Sequence, residues 1–403
     1  MNFSFIHTAD IHLGRAFADI SHELSTSQKE VLKTAHEAAL ETICNFAIER
    51  DVDFILIAGD TFDACEHDLH SKIVLTSILK RLENNNINVY IVCGNHDPAT
   101  SYTNELAFKN SDKIHIFGVN TSCEPTIINH NGKDIVCLYP FGFNTNEYKN
   151  NPCKELKKAN SNDLFNIGLI HCDIMGDNNT YAPCSEKELL ELNYDYYALG
   201  HIHKPYENGK IVYSGTPQSR SRKDEGAHGF RYVSVNNNQI ISNEFITCDK
   251  IRFCNIDYSL TGDSTAIETI EKLQEQLYQY KSAIKLSIIN LTLNGICGYK
   301  KPKLEEIRNE LSGENVIINE ITDNSSIEVD IEQISSSGGV LSHIINNTRN
   351  SEKLKTLLDK TSNDISEVLK LTDSIKQEVI SAPAISIAEN ICREIYGKEV
   401  ENE

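Results

Sequence analysis

Over its first hundred residues the chain alternates short, almost wholly apolar runs with longer stretches whose apolar residues return at helical spacing. Phe3-Ser-Phe-Ile-His-Thr-Ala-Asp10 reads as a first strand, and Val31, Ala35, Ala38, Ala39, Thr42 and Phe46 mark a helix between Ser25 and Arg50. Asp53-Phe-Ile-Leu-Ile-Ala-Gly-Asp60 is apolar on both faces, as a buried parallel strand is, which makes the unit βαβ. A second helical crossover, Ser71 to Leu82, leads into Val89-Tyr-Ile-Val-Cys-Gly-Asn-His-Asp97. Each of these strands ends in carboxylate, amide or imidazole side chains, at the edge where open α/β sheets place their ligands.

From 113 to 140 the pattern shortens to Ile114-His-Ile-Phe, Thr126-Ile-Ile and Asp134-Ile-Val-Cys-Leu-Tyr, strands that predict the start of a second sheet. The polar stretch from Asn144 to Asn162 predicts a surface loop or short helix; it offers Lys154, Lys157 and Lys158 either to a polyanion or simply to solvent. Phe165 to His171 and Asp195 to His203 repeat the strand capped by histidine. Ile211 to Gln218 is a strand and turn, and Gly226 to Val235 and Gln239 to Ile246 return antiparallel. We expect a first domain over 1–248 and a small α+β accessory domain over 249–335. A helical tail over 336–403 follows the Ser/Gly joint at 335–339, with Leu354, Leu357, Leu358, Ile365, Val368 and Leu369 among its apolar positions, and packs on the body or on a partner.

Composition narrows the function. A formal net charge of −20 opposes binding of nucleic acid by bulk electrostatics, so any such work has to be local. The densest basic spot near the strand-end motifs is Arg220, Arg222 and Lys223, the candidate substrate contacts. Twelve cysteines without a C-x-x-C pair, and a first strand with no signal stretch before it, lead us to expect reduced thiols in a cytoplasmic protein. No apolar run approaches the roughly 18 residues of a membrane helix.

The candidate metal ligands are Asp10, His12, Asp60, Asn95, His171, His201 and His203. Asp10 and His12, like His201 and His203, are two apart, a spacing that points both side chains the same way in an extended segment. Oxygen and nitrogen donors without cysteine suit two ions of the manganese, iron or zinc kind rather than a thiolate zinc site. Two ions sharing one carboxylate sit about 3.5–4 Å apart and serve in-line attack on phosphorus. Asp60, central in the order, is the expected bridge. His7, His22, His36, His67, His70, His115, His130, His228 and His343 lack the strand-end context and are assigned to core or surface.

This ordered set, Asp-x-His, Gly-Asp-x-x-Asp, Gly-Asn-His-Asp, strand-end His and Gly-His-x-His, resembles the calcineurin-like metallophosphoesterase superfamily over residues 1 to about 246. The resemblance implies an α/β fold, a two-sheet sandwich flanked by helices. Within the superfamily, His7-Thr-Ala-Asp-Ile-His-Leu-Gly14, Tyr197-Ala-Leu-Gly-His-Ile-His203 and Tyr213-Ser-Gly-Thr-Pro-Gln218 look like the SbcD/YhaO group of bacterial DNA-repair exonucleases. It implies DNA as substrate, two divalent ions, most readily Mn2+, and a coiled-coil ATPase of the SbcC type bound through the C-terminal helices. Asp10, His12, Asp60 and His203 would hold one ion, and Asp60, Asn95, His171 and His201 the other. His96 would serve the transition state or protonate the leaving oxygen, with Asp97 orienting its imidazole. Some relatives carry histidine where this chain has Asp63, so a catalytic role for Asp63 is left open. Two alternatives stand beside the nuclease: a small-molecule phosphodiesterase with the same motifs, and a catalytically silent scaffold for the ATPase. A serine/threonine phosphatase is set aside, because Ala64 rather than arginine follows the second motif and Asp97 rather than glutamate ends the third. Oligomeric state is left open, with a homodimer as one option.

Overall fold

The structure is a computed structural model that describes residues 2–20, 24–63, 69–99, 111–117, 124–130, 132–159, 163–174, 180–262, 264–297 and 303–327, with Ser336 and Asn346. Apart from those last two residues, the helical tail expected over 336–403 lies outside the described residues.

Two six-stranded sheets carry the first part of the chain. The first runs in the order β12 (Gln239–Thr247), β11 (Gly229–Asn236), β1 (Asn2–Thr8), β2 (Phe54–Ala58), β3 (Asn88–Val92) and β4 (Ile114–Phe117). Strands β1 to β4 are parallel, and β11 joins β1 antiparallel with Asn2 opposite Asn236. The second sheet runs β5 (Thr126–His130), β6 (Lys133–Phe141), β7 (Phe165–His171), β8 (Tyr196–Gly200), β10 (Ile211–Tyr213) and β9 (Tyr206–Asn208). Ile114–Phe117 was expected to open this second sheet; it instead extends the first, because Ile114 aligns with Val89 and packs into the same helix-side cluster.

The period of two along each strand sorts side chains into layers. Phe3, Phe5, Phe54, Leu56, Tyr90 and Val92 point between the sheets and meet Val136, Leu138, Ile167, Leu169 and Tyr196. Phe5 and Phe54, paired in register, stack with centroids 5.1 Å apart. The alternate residues Ile6, Ile55, Ile57 and Ile91 face outward and are covered by Ala39, Leu40 and Ile43 of α1 (Thr26–Glu49) and Leu75, Leu79 and Leu82 of α2 (Leu69–Asn84). Helix α1 begins at a capping box in which Ser25 and Gln28 each satisfy the other's backbone N–H. Being covered on both faces is why these strands lack polar alternation.

A third, smaller sheet orders β13 (Ile251–Leu260), β14 (Leu286–Cys297) and β15 (Val316–Asp323), with β16 (Ser326–Ile327) also paired to β14. Two compact units divide the chain: Met1–Cys254 with Tyr280–Ile289 and Glu314–Asn319, and Asn255–Gln279 with Asn290–Gly313 and the residues from Glu320 onward. In the first, Ala35 joins Ile251, Phe253, Leu286, Ile288 and Ile317 in a further buried cluster. In the second, Leu260, Leu273, Leu293 and Ile307 line one small apolar gap. Among the described residues no helix is long and apolar enough to cross a membrane.

Candidate metal centre

The seven expected ligands and His96 all follow, or end, a strand whose carboxyl end faces the same place. Strand β1 leads to Asp10 and His12, β2 to Asp60, β3 to Asn95 and His96, β7 ends on His171, and β8 leads to His201 and His203. The first turn is stitched to the second by backbone bonds, Asp10 N–H to Gly59 O at 3.0 Å and His12 N–H to Asp60 O at 3.0 Å.

The turns are not extended, however, so the i, i+2 spacing does not set where their side chains point. Asp10, His12, Asp60 and His201 all have positive φ, at 51°, 48°, 50° and 101°. Each such non-glycine residue costs about 1–3 kcal/mol and persists only where its surroundings dictate it. The strain aims adjacent side chains at separate targets. His203 Nε2 lies 3.3 Å from His12 Nε2, whereas His201 Nδ1 lies 3.2 Å from Asn95 Oδ1. Gly59 and Gly94 allow the turns to meet: a Cβ on Gly59, at φ +89°, would sit 2.3 Å from His171 Nδ1, and one on Gly94 would sit 2.1 Å from Asp60 Oδ1.

Asp60 stands in the middle. Its Oδ2 is 3.8 Å from His12 Nε2 and 3.7 Å from His171 Nε2, while Oδ1 accepts the His96 backbone N–H at 2.8 Å. Asp10 accepts the His201 N–H on both oxygens, at 3.1 and 3.0 Å. Asp10, His12 and His203, and likewise Asp10, Asp60 and His171, offer ligand atoms within 4.8 Å of one another.

The donor set fits divalent cations. His171 donates Nδ1–H to Ala58 O at 2.8 Å, which leaves a lone pair on Nε2, and that lone pair faces Asn95 Oδ1 at 3.0 Å. Two acceptors so close, beside a buried carboxylate, call for a shared cation. Burial raises the Asp10 carboxyl well above its usual range, with Asp60 adding to it, and raises Asp60 to about 6. Burial also lowers His12 and His203, and brings His171 and His201 down to about 3, so the imidazoles are neutral donors. Neutral imidazoles and anionic carboxylates are the set that manganese, iron or zinc accepts.

His96 stands apart, 33% exposed at the rim. The carboxylate at its ring is that of buried Asp63, Oδ1 3.6 Å from Nδ1, and this contact raises the His96 pKa against the opposing effect of burial. Asp97, expected to orient His96, is engaged elsewhere. It accepts backbone N–H groups from Asp60 at 3.2 Å, Thr61 at 2.6 Å, Phe62 at 3.2 Å and Gly94 at 2.8 Å, and so fixes the turn that carries Asp60.

Of the three basic candidates, Arg220 belongs to the centre itself: its Nη2 is 2.7 Å from His203 Nδ1. Arg222 and Lys223 are exposed. Two partners escaped the motif reading. Asp224 Oδ1 lies 3.5 Å from His203 Nδ1; burial acts to raise its carboxyl, but His203 and Arg220 bring it down to about 2. Arg15 pairs with Asp63. Arg15 follows the Asp-x-His motif by three residues, and Asp224 follows Arg220 by four, which are the only local signals for them.

Facing sheets whose carboxyl ends gather two carboxylates, an amide and four imidazoles define a phosphoesterase with a dimetal site. Residues 3–205 match the family model of the calcineurin-like phosphoesterases, and the chain belongs to that family. It is 31% identical over 245 residues to the uncharacterized metallophosphoesterase YhaO of Bacillus subtilis, a match that covers 59% of this chain and 59% of YhaO. It is 29% identical over 252 residues to the DNA double-strand break repair protein Mre11 of Methanocaldococcus jannaschii, covering 59% of this chain and 63% of Mre11. The chain thus spans about three-fifths of the length of these relatives. Similarity to SbcD, a component of the nuclease SbcCD of Escherichia coli, is 21% over 324 residues, or 71% of this chain and 72% of SbcD. A solved dimetal phosphatase from Danio rerio aligns with 61% of this chain and 97% of its own at 11% identity and a TM-score of 0.34, a likeness too slight to bear on the site.

Proposed function

We propose that this chain is a manganese-dependent nuclease that hydrolyses phosphodiester bonds of DNA. The observation that carries the reading is the pairing of rim-exposed His96 with buried Asp63 beside the Asp60-centred ligands. Asp10, His12, Asp60 and His203 would hold one ion, and Asp60, Asn95, His171 and His201 the other. Such ions, when bound, polarise the phosphoryl oxygens and lower the pKa of the attacking water. The chain's own residues then divide the remaining work. Asp97 holds the Asp60 turn, Asp224 and Arg220 orient His203, and His96, kept protonated by Asp63, donates a proton from its imidazole to the leaving oxygen.

DNA as substrate is supported by similarity to proteins named as a DNA break-repair protein and a nuclease component. The second of these also supports a coiled-coil ATPase of the SbcC kind as partner. A manganese-supplemented panel of linear duplex, single strand, hairpin and a small chromogenic diester tests the reading. Cleavage of DNA at the expense of the small diester is expected. Turnover confined to the small diester would replace the nuclease with a small-molecule phosphodiesterase, and no turnover on any of them with a silent scaffold.

A further inference from the structure

Beside the metal centre lies a second concavity of about 500 Å³, entered from the loop that follows His12. Phe17, Ile20, Leu24 and Leu32 form an apolar wall. At the wall sits His36 on α1, 5% exposed, with its ring centroid 5.2 Å from that of Phe17. His36 Nε2 is buried and has no hydrogen-bond partner. Buried polar atoms are so regularly paired that an orphan lining a cavity calls for a ligand. Arg15, Lys29 and Lys33 add cationic groups at the same opening, in a chain whose overall charge is −20. Glu37, the acidic residue among those lining it, is paired with His70 at 2.9 Å.

We infer that this cleft is a nucleotide subsite: a nucleobase lies along the Phe17 wall with one ring atom hydrogen-bonded to His36 Nε2, and its phosphate meets Arg15 and Lys33. An apolar slot with one convergent polar atom is how small aromatic ligands are oriented, and the volume is in the range of such sites. Burial and the nearby Arg220 hold the His36 ring neutral, with its pKa brought down to about 3, so Nε2 can accept from a base or donate to one according to tautomer. The cleft reaches the reacting centre through Arg15, which lines it and pairs with Asp63, the partner of His96. A terminal nucleotide seated here would present its diester toward His96. The inference rests on the nuclease reading for what that nucleotide is attached to, not for its binding.

The test begins without metal. Full-length protein with labelled histidine imidazoles is titrated in EDTA with deoxyadenosine monophosphate, deoxyadenosine and inorganic phosphate. The monophosphate is expected to shift the His36 resonances saturably, deoxyadenosine more weakly, and phosphate not at all. By calorimetry, His36→Leu and Phe17→Ala each weaken monophosphate binding about tenfold, the scale of a lost stacking or hydrogen-bonded base contact. Lys33→Ser weakens binding of the monophosphate more than that of deoxyadenosine. With manganese, the ratio of kcat/KM for a dinucleotide over its counterpart lacking one base falls about tenfold in Phe17→Ala. Unshifted His36 resonances would overturn the subsite, even with DNA cleavage intact. Shifts produced equally by phosphate would do so too, by reducing the site to an anion patch. Saturable monophosphate binding without cleavage of any DNA would leave the subsite standing and overturn the nuclease reading alone.

Discussion

His7 shows how much a single buried side chain can specify. Both ring nitrogens are occupied: Nε2–H donates to Leu199 O at 3.1 Å, and Nδ1 accepts from the Tyr196 hydroxyl at 3.0 Å. Burial lowers its pKa from 6.5 to about 3, so between those values the unfolded chain takes the proton more readily and stability falls as pH falls. Acidifying from pH 7 to 5 should cost about 2 kcal/mol through this residue. Urea unfolding at both pH values checks it, since His7→Gln should lose less stability over that interval than wild type by about that amount. His96 has the opposite sign. Asp63 raises its pKa, so its acid form persists to higher pH, and activity should decline as pH rises through that value. His96→Ala should keep its metal and lose about 100-fold or more in diester cleavage. Asp63→Asn should move the alkaline limb of the kcat profile to lower pH. Metal loss on elemental analysis of His96→Ala would make His96 a ligand, and an unmoved limb would detach Asp63 from it.

At the scale of elements, the turn after β2 depends on a residue from the turn after β3. Asp97 accepts four backbone N–H groups there, and in Asp97→Ala those groups lose a common acceptor inside the protein. A loss of about 3 kcal/mol is expected from chemical denaturation, with Asp97→Asn recovering part of it. Equal stability of Asp97→Ala and wild type would show that the turn holds without it. The strands and helices around these turns were legible in sequence because period-2 and helical spacing are local signals, and the motif residues mark the strand ends. The left-handed backbone at Asp10, His12, Asp60 and His201 was not legible, since nothing local dictates that conformation in a residue other than glycine. Nor was the engagement of Asp97, which depends on amides some 35 positions earlier in the chain. Ile114–Phe117 was assigned to the wrong sheet for a related reason: four residues carry a strand signal but no statement of their neighbour. His36 lacks the strand-end context and is silent as a motif; only the cavity and its unpaired Nε2 distinguish it.

For the whole molecule, a charge of −20 makes DNA binding depend on a few local cations and on low salt. Arg220 is committed to His203, which leaves exposed Arg222 and Lys223 as the basic pair for a phosphate backbone. Replacing both with serine should weaken duplex binding and make the plot of log K against log salt less steep by about 2, one contact each. An unchanged slope would exclude them. Deleting residues 340–403 is expected to abolish co-purification with a coiled-coil ATPase, and retained co-purification would move that interface elsewhere. The antiparallel seam between β1 and β11 bears on how the molecule is made. Asn2 pairs with Asn236, and Asp10 and His12 meet His201 and His203, so the first strand emerges from the ribosome long before its partner exists. Until β8 and β11 follow, the nascent chain holds Asp10, His12 and Asp60 as a half-built centre, and closing so long a loop is a slow, entropically costly event. Metal capture therefore belongs to the last stage of folding, after synthesis has delivered the second half of the ligand set.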